Sequence, residues 1–162
     1  MTTGNSPGAA DGTGRALTLT RIYDAPRALV FAAWTDPKHM AAWWGPKGFT
    51  NRVFELDARP GGAIRLDMIG PDGAVYPMGG VFQEVVPPAR LVLTTTAVHD
   101  EAGNPRLETL NTVTFAEENG KTRLTVRAVV VKSAPEVLGA LAGMEQGWTE
   151  SLGRLAELLA RA

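Results

Sequence analysis

The chain has 162 residues, with 16 Lys and Arg against 17 Asp and Glu, a net charge of -1 and no cysteine. A balance this even leaves no electrostatic footprint for a nucleic-acid backbone or an anionic membrane surface, and the lack of cysteine removes disulfides, a thiolate nucleophile and cysteine-held zinc or iron–sulfur centres. The length suits one domain, and no apolar run approaches the roughly 18 residues of a membrane span. The opening stretch MTTGNSPGAADGTG is small and polar and has neither the charged nor the apolar part of a signal peptide. Residues 1–15 are therefore expected to be a disordered leader to a single domain over 16–162, with the cytoplasm as the expected compartment.

ALTLTRIY, residues 16–23, alternates Leu17, Leu19 and Tyr23 onto one side and reads as a strand. Pro26 suits a helix start, and Val30, Phe31 and Trp34 in RALVFAAWT make one apolar face of a short helix that Asp36-Pro37 breaks. A second short helix, KHMAAWW, is expected to stop at Gly45-Pro46, and GFTNRVFELDA opens a run of strands. In RPGGAIRLDMIGPDGAVYPMGGVFQEVV, Ile64, Leu66 and Met68 alternate with Arg65 and Asp67, and Gly70-Pro71-Asp72-Gly73 supplies a hairpin turn. Pro87-Pro88 turns the chain into RLVLTTTAV, and Glu118-Asn119-Gly120-Lys121 is the turn between two further strands, about seven in all.

Ser133, Pro135 and Glu136 fit a capping box, which predicts a long terminal helix from near residue 134. Val137, Leu141, Met144, Trp148, Leu152, Leu155 and Leu159 recur at steps of three and four, the stripe of a helix laid on a sheet. Hairpin-length connections favour an antiparallel sheet, so the expected class is α+β. Gly139, Gly143 and Gly147 stand four apart in that helix, although each interior glycine costs roughly 1 kcal/mol relative to alanine. They form either a close-packing seam or the thin wall of a cavity.

TRIYDAPRALVFAAWTDPKHMAAWWGPKGF, RPGGAIRLDM, GGVFQEVVPPARLV, the TVTF and TRLTV strands and GMEQGWTESLGRLAELLA, occurring in this order, resemble the proteins related to the activator of the heat-shock protein 90 ATPase. That family belongs to the START-like superfamily of helix-grip folds. The resemblance implies a curved antiparallel sheet of about six to seven strands wrapped around a long C-terminal helix, often enclosing an apolar cavity, with two short helices after the first strand. The superfamily includes lipid carriers, hormone receptors, polyketide cyclases and many bacterial proteins without an assigned role, so the fold alone does not choose among them.

Neighbours on a helix point about 100° apart, so of Trp43 and Trp44 one is expected at the core and the other at a pocket mouth or in solvent, unless both plug the end of the sheet. Met68, Met78, Met144 and Trp148 are soft or aromatic groups on elements expected to face one another, a lining suited to an apolar ligand as well as to plain core. Thr109 and Asn111 share the phase of Val113 and Phe115; facing inward, Asn111 would be a donor and acceptor at the cavity end of its strand, and at a sheet edge it would simply be exposed. Arg21 shares a phase with Leu17, Leu19 and Tyr23 and is read as a snorkelling or paired arginine.

Chemistry finds little support. The two histidines, His39 and His99, have no partner at a spacing that makes a triad or a metal site, and Glu55, Asp57 and Asp67 alternate toward solvent. Gly61-Gly62 lacks the strand-to-helix setting of a phosphate loop. The expectation is a domain that binds an apolar or aromatic small molecule between sheet and C-terminal helix through Trp43, Met68, Met78, Asn111, Gly143, Met144, Gly147 and Trp148, without cofactor or metal, as a possible homodimer. The alternatives are a cyclase or hydrolase working in the same cavity, and a module that stimulates a chaperone ATPase, the least favoured partner.

Overall fold

A computed structural model describes residues 14–99, 105–133 and 143–161. Strand β1 (Ala16–Tyr23) is followed by helices α1 (Arg27–Thr35) and α2 (Pro37–Trp43), then by strands β2 (Thr50–Leu56), β3 (Ala63–Ile69), β4 (Val75–Val86), β5 (Arg90–His99), β6 (Pro105–Glu118) and β7 (Lys121–Ser133), and by helix α3 (Met144–Ala160). The strands form one sheet in the order β1-β7-β6-β5-β4-β3-β2, every neighbouring pair antiparallel. Strands β2 to β7 follow one another by short returns, while α1 and α2 carry the chain from β1 at one edge to β2 at the other. The class expected from the sequence is thus observed: an α+β, open helix-grip sheet with a C-terminal helix and, among the described residues, three helices.

Local chemistry explains the punctuation. The Asp36 carboxylate accepts the Lys38 amide at 2.8 Å and starts α2 with Pro37 in its first turn. Asn119 and Gly120 both have positive φ, 55° and 79°, as a two-residue hairpin loop requires, and they join β6 to β7 where the sequence predicts. Gly62 needs its missing side chain, because a Cβ there would collide with the Asp57 carbonyl.

Strand β7 runs through Ser133, which pairs with Leu107 of β6; the stretch in which the sequence places the start of the capped helix lies outside the described residues. The described helix begins at Met144, with Gly143 as its N-cap residue in a non-helical conformation. Pro135, Glu136, Val137, Gly139 and Leu141 lie outside the described residues, as do residues 1–13 of the expected leader.

The register puts alternate residues of every central strand on one inner face. Leu91, Leu93, Val113, Phe115, Leu124, Val126, Phe82 and Leu66 are all buried there, and Leu152 and Leu155 of α3 join the same core. The Tyr23 hydroxyl donates to the Leu152 carbonyl at 2.9 Å, fixing the end of β1 to α3. Burial pushes the Tyr23 phenol well above its ordinary range, only partly opposed by nearby Arg21.

Candidate functional site

The inner face has two unlike ends. At one end β6 and β7 present Phe115, Val113, Leu124 and Val126, and α1 and α2 close over them with aromatic rings. Trp34 is fully buried at the centre: its ring meets Trp43 at 4.8 Å, Trp44 at 6.1 Å, Trp148 of α3 at 6.1 Å in a stacked arrangement, and Phe115 at 6.4 Å. The Trp43 indole donates to the Ala33 carbonyl at 2.8 Å. Both members of the Trp43-Trp44 pair are therefore core, 0% and 7% exposed, which is the plug reading and not the split one. The geometry allows it because the cluster closes around both rings: each meets Trp34, and Trp44 also packs on Trp148 of α3.

Arg154 on α3 locks the segment after α2 in place. Its guanidinium donates to the carbonyls of Trp44, Gly45 and Pro46 at 2.9 to 3.0 Å, and to that of Ala42 at 3.2 Å. Asn51 adds bonds to the carbonyls of Ala41 and Trp44 at 3.1 and 2.7 Å. Carbonyls at a helix C-terminus have no partner within the helix, and these two side chains supply one.

At the other end of the inner face the side chains become small and polar. Moving along the strands, Leu93 gives way to Thr95, Val113 to Asn111 and Thr109, Val126 to Ala128, and Phe82 to Gly80, where a Cβ would collide with the Thr94 carbonyl. Asn111 is 0% exposed and Thr109 is 7% exposed, and since β6 lies between β5 and β7 the sheet-edge alternative does not hold. The Asn111 amide nitrogen donates to the Leu93 carbonyl at 3.2 Å and lies 3.1 Å from the Thr95 hydroxyl and 3.4 Å from that of Thr109. The two threonine hydroxyls share a bond of 2.6 Å. Asn111 Oδ1 is buried with no hydrogen-bond partner among the described residues.

The residues singled out from the sequence fall into separate groups. Trp43 and Trp148 share the aromatic cluster around Trp34. Met68, half-buried, lies against Gly45, and Met78, buried, stands opposite Leu66 on the inner face, two residues from Gly80. Asn111 forms its own polar group, to which Thr95 is an addition; its alternation with Leu91 and Leu93 in RLVLTTTAV was the available signal. Gly143, exposed, and Met144, half-buried, stand at the start of α3. A Cβ on Gly147 would meet only Pro46 Cγ, at 3.9 Å, so that glycine is not part of a tight seam. Arg21 lies over the Tyr23 ring, 5.7 Å from its centroid, and is exposed.

The site residues singled out from the sequence line neither of two surface hollows. One of about 150 Å³ is lined by Leu29, Ala33, His39, Leu158, Leu159 and Arg161, and one of about 350 Å³ by Lys47, Gly48, Glu150, Gly153, Arg154 and Glu157. Among the described residues, no three His, Cys, Asp or Glu are grouped to hold a metal, and no helix is long and apolar enough to cross a membrane.

An open antiparallel sheet gripping a C-terminal helix, with a polar spot set into an apolar inner face, defines a START-like domain. The chain belongs to the family described as Activator of Hsp90 ATPase homolog 1-like protein, whose model matches residues 24–160. A crystal structure of a protein from Chromobacterium violaceum is similar, with 31% identity, a TM-score of 0.75, and 89% of this chain and 96% of that one covered. The solution structure of a protein from Arthrobacter aurescens has 25% identity and a TM-score of 0.81 over 91% of this chain and 87% of that one. The AHSA1 protein from Silicibacter pomeroyi has 27% identity and a TM-score of 0.74, covering 90% and 98%. No curated protein matches the chain.

Proposed function

We propose that this protein binds an apolar or aromatic small molecule between the inner face of the sheet and the C-terminal helix, over the small and polar end of that face. The observation that carries the reading is the buried Asn111 Oδ1 left without a partner on strands whose neighbouring inner residues are Thr95, Thr109, Ala128 and Gly80. An unmade buried acceptor costs about 1 to 3 kcal/mol, a penalty that a bound donor would remove. Small side chains on β4 to β7 stand where large ones fill the opposite end, an arrangement that suits a bound molecule. Met78, Met144 and Trp148 suit the walls of such a site, since thioether and indole groups adapt to apolar shapes.

Native mass spectrometry of the purified protein, followed by titration with apolar and aromatic metabolites read by tryptophan fluorescence, tests the proposal. Trp148 stacks on Trp34 and is half-buried, so occupancy near the start of α3 should change the emission. Saturable binding is the expected result; a silent panel with no co-purified molecule would refute it.

Catalysis in the same place has less to draw on. Tyr23, the ionisable side chain buried on the inner face, has its phenol raised by burial and its hydroxyl committed to Leu152. Stimulation of a chaperone ATPase is the activity in the family's description, and a purified-component ATPase assay decides it directly.

A further inference from the structure

We infer that the molecule bound at this site is neutral and carries a hydroxyl group, which donates to Asn111 Oδ1 and accepts from one of the threonine hydroxyls. This rests on the binding site proposed above and names the chemistry it selects.

The hydrogen-bond inventory of the polar group carries the argument. Asn111 Nδ2 has two hydrogens, one directed to the Leu93 carbonyl and one to the threonine oxygens 3.1 and 3.4 Å away. Thr95 and Thr109 have one hydroxyl hydrogen each, and one of these is used in their mutual bond of 2.6 Å. Within this group two capacities remain: an acceptor, Asn111 Oδ1, and one threonine O–H donor. A hydroxyl matches both at once. An ether or a ketone could use only the donor and would leave Oδ1 unpaired.

Charge decides against ionised ligands. The inner-face neighbours in register with Asn111 and Thr109 are Leu93, Thr95, Ala128 and Val130, and none carries a charge. Arg21, the cation that shares the phase of the inner face, is exposed and pairs with Leu124 at the opposite end of β7. A carboxylate placed over Asn111 would lose its hydration with no counter-charge among these described neighbours and would face the Oδ1 lone pairs. An ammonium would find one neutral acceptor in exchange for its water.

The test uses calorimetric titration of the full chain with 1-decanol and 2-naphthol, each beside its methyl ether and the corresponding carboxylate. The alcohol is expected to bind about tenfold or more tighter than its ether, the ratio that corresponds to one buried acceptor left unpaired, and the carboxylate weakest of the three. In Asn111→Leu the alcohol-to-ether ratio should fall to about one. Should that variant fail to fold, Thr95→Val and Thr109→Val, which keep side-chain volume, should each leave the alcohol-to-ether ratio near its parent value, because Oδ1 and not the threonine donor tells the two ligands apart; a ratio lost in both would overturn the inference. Ethers or carboxylates that bind as tightly as the alcohols would overturn the inference and leave the binding site standing. Binding by none of the six compounds would count against the site itself, and the inference would fall with it.

Discussion

The two ends of the inner face are built from the same strands and differ in what those strands carry. At the aromatic end Phe31, Trp34, Trp43, Trp44, Phe115 and Trp148 fill the space between sheet and helices, each ring within reach of another. At the other end the alternation continues unbroken but delivers Thr95, Asn111, Thr109, Ala128 and Gly80. On the proposed reading, stability and binding are thereby separated along one sheet. The first end gains from dense contact, although the Trp34 indole N–H finds no partner there, and the second, where Asn111 Oδ1 is unmet among small side chains, is the end to which the proposed ligand is assigned.

The sharpest way to break this comparison is truncation at the aromatic centre. Trp34→Ala should lower the unfolding free energy by about 3 to 5 kcal/mol in urea titration, since it opens a cavity among four rings. Asn111→Leu should change the ligand-free stability by less than about 1 kcal/mol in either direction, because it removes an unpaired acceptor as well as three bonds. Equal losses from the two variants would erase the distinction between the ends.

A smaller effect is expected where β1 joins α3. Tyr23→Phe loses one buried hydrogen bond, about 1 kcal/mol at neutral pH. The phenol's pKa is raised in the folded state above its unfolded value of 10.0, so its contribution is complete below that pH and declines as pH rises beyond it. The alkaline loss of stability should therefore be shallower in Tyr23→Phe than in the parent, a difference seen by comparing melting curves from neutral pH to above 10.

The smallest change is predicted for Gly147→Ala, which should stabilise the chain by about 0.5 to 1 kcal/mol through helix propensity, as a Cβ meets only Pro46 at ordinary contact distance. A destabilised alanine variant would restore the packing-seam reading of the glycines.

The order of elements was legible in the sequence because each depends on local rules. Alternation marks Ala16–Tyr23, Asp36-Pro37 marks the break between two short helices, and Asn119-Gly120 marks a hairpin whose two positive φ angles few other pairs adopt. The inward phase of Asn111 could be suggested from Val113 and Phe115, which share its parity along β6. The split expected of Trp43 and Trp44 does not occur because the aromatic cluster closes around both rings: each meets Trp34, and Trp44 also meets Trp148.

Sequence alone determined the α+β class, the strand and turn grammar, and the amphipathic stripe of the C-terminal helix, since these follow from periodicity and backbone preference over a few residues. Only the tertiary structure decided which groups meet. Arg154 reaches carbonyls more than a hundred positions away in the chain, and Thr95 joins Thr109 and Asn111 across a ladder. It also decided that the amide of Asn111 is satisfied on its nitrogen and not on its oxygen. Such pairings depend on register and on long-range closure, and no local propensity encodes them.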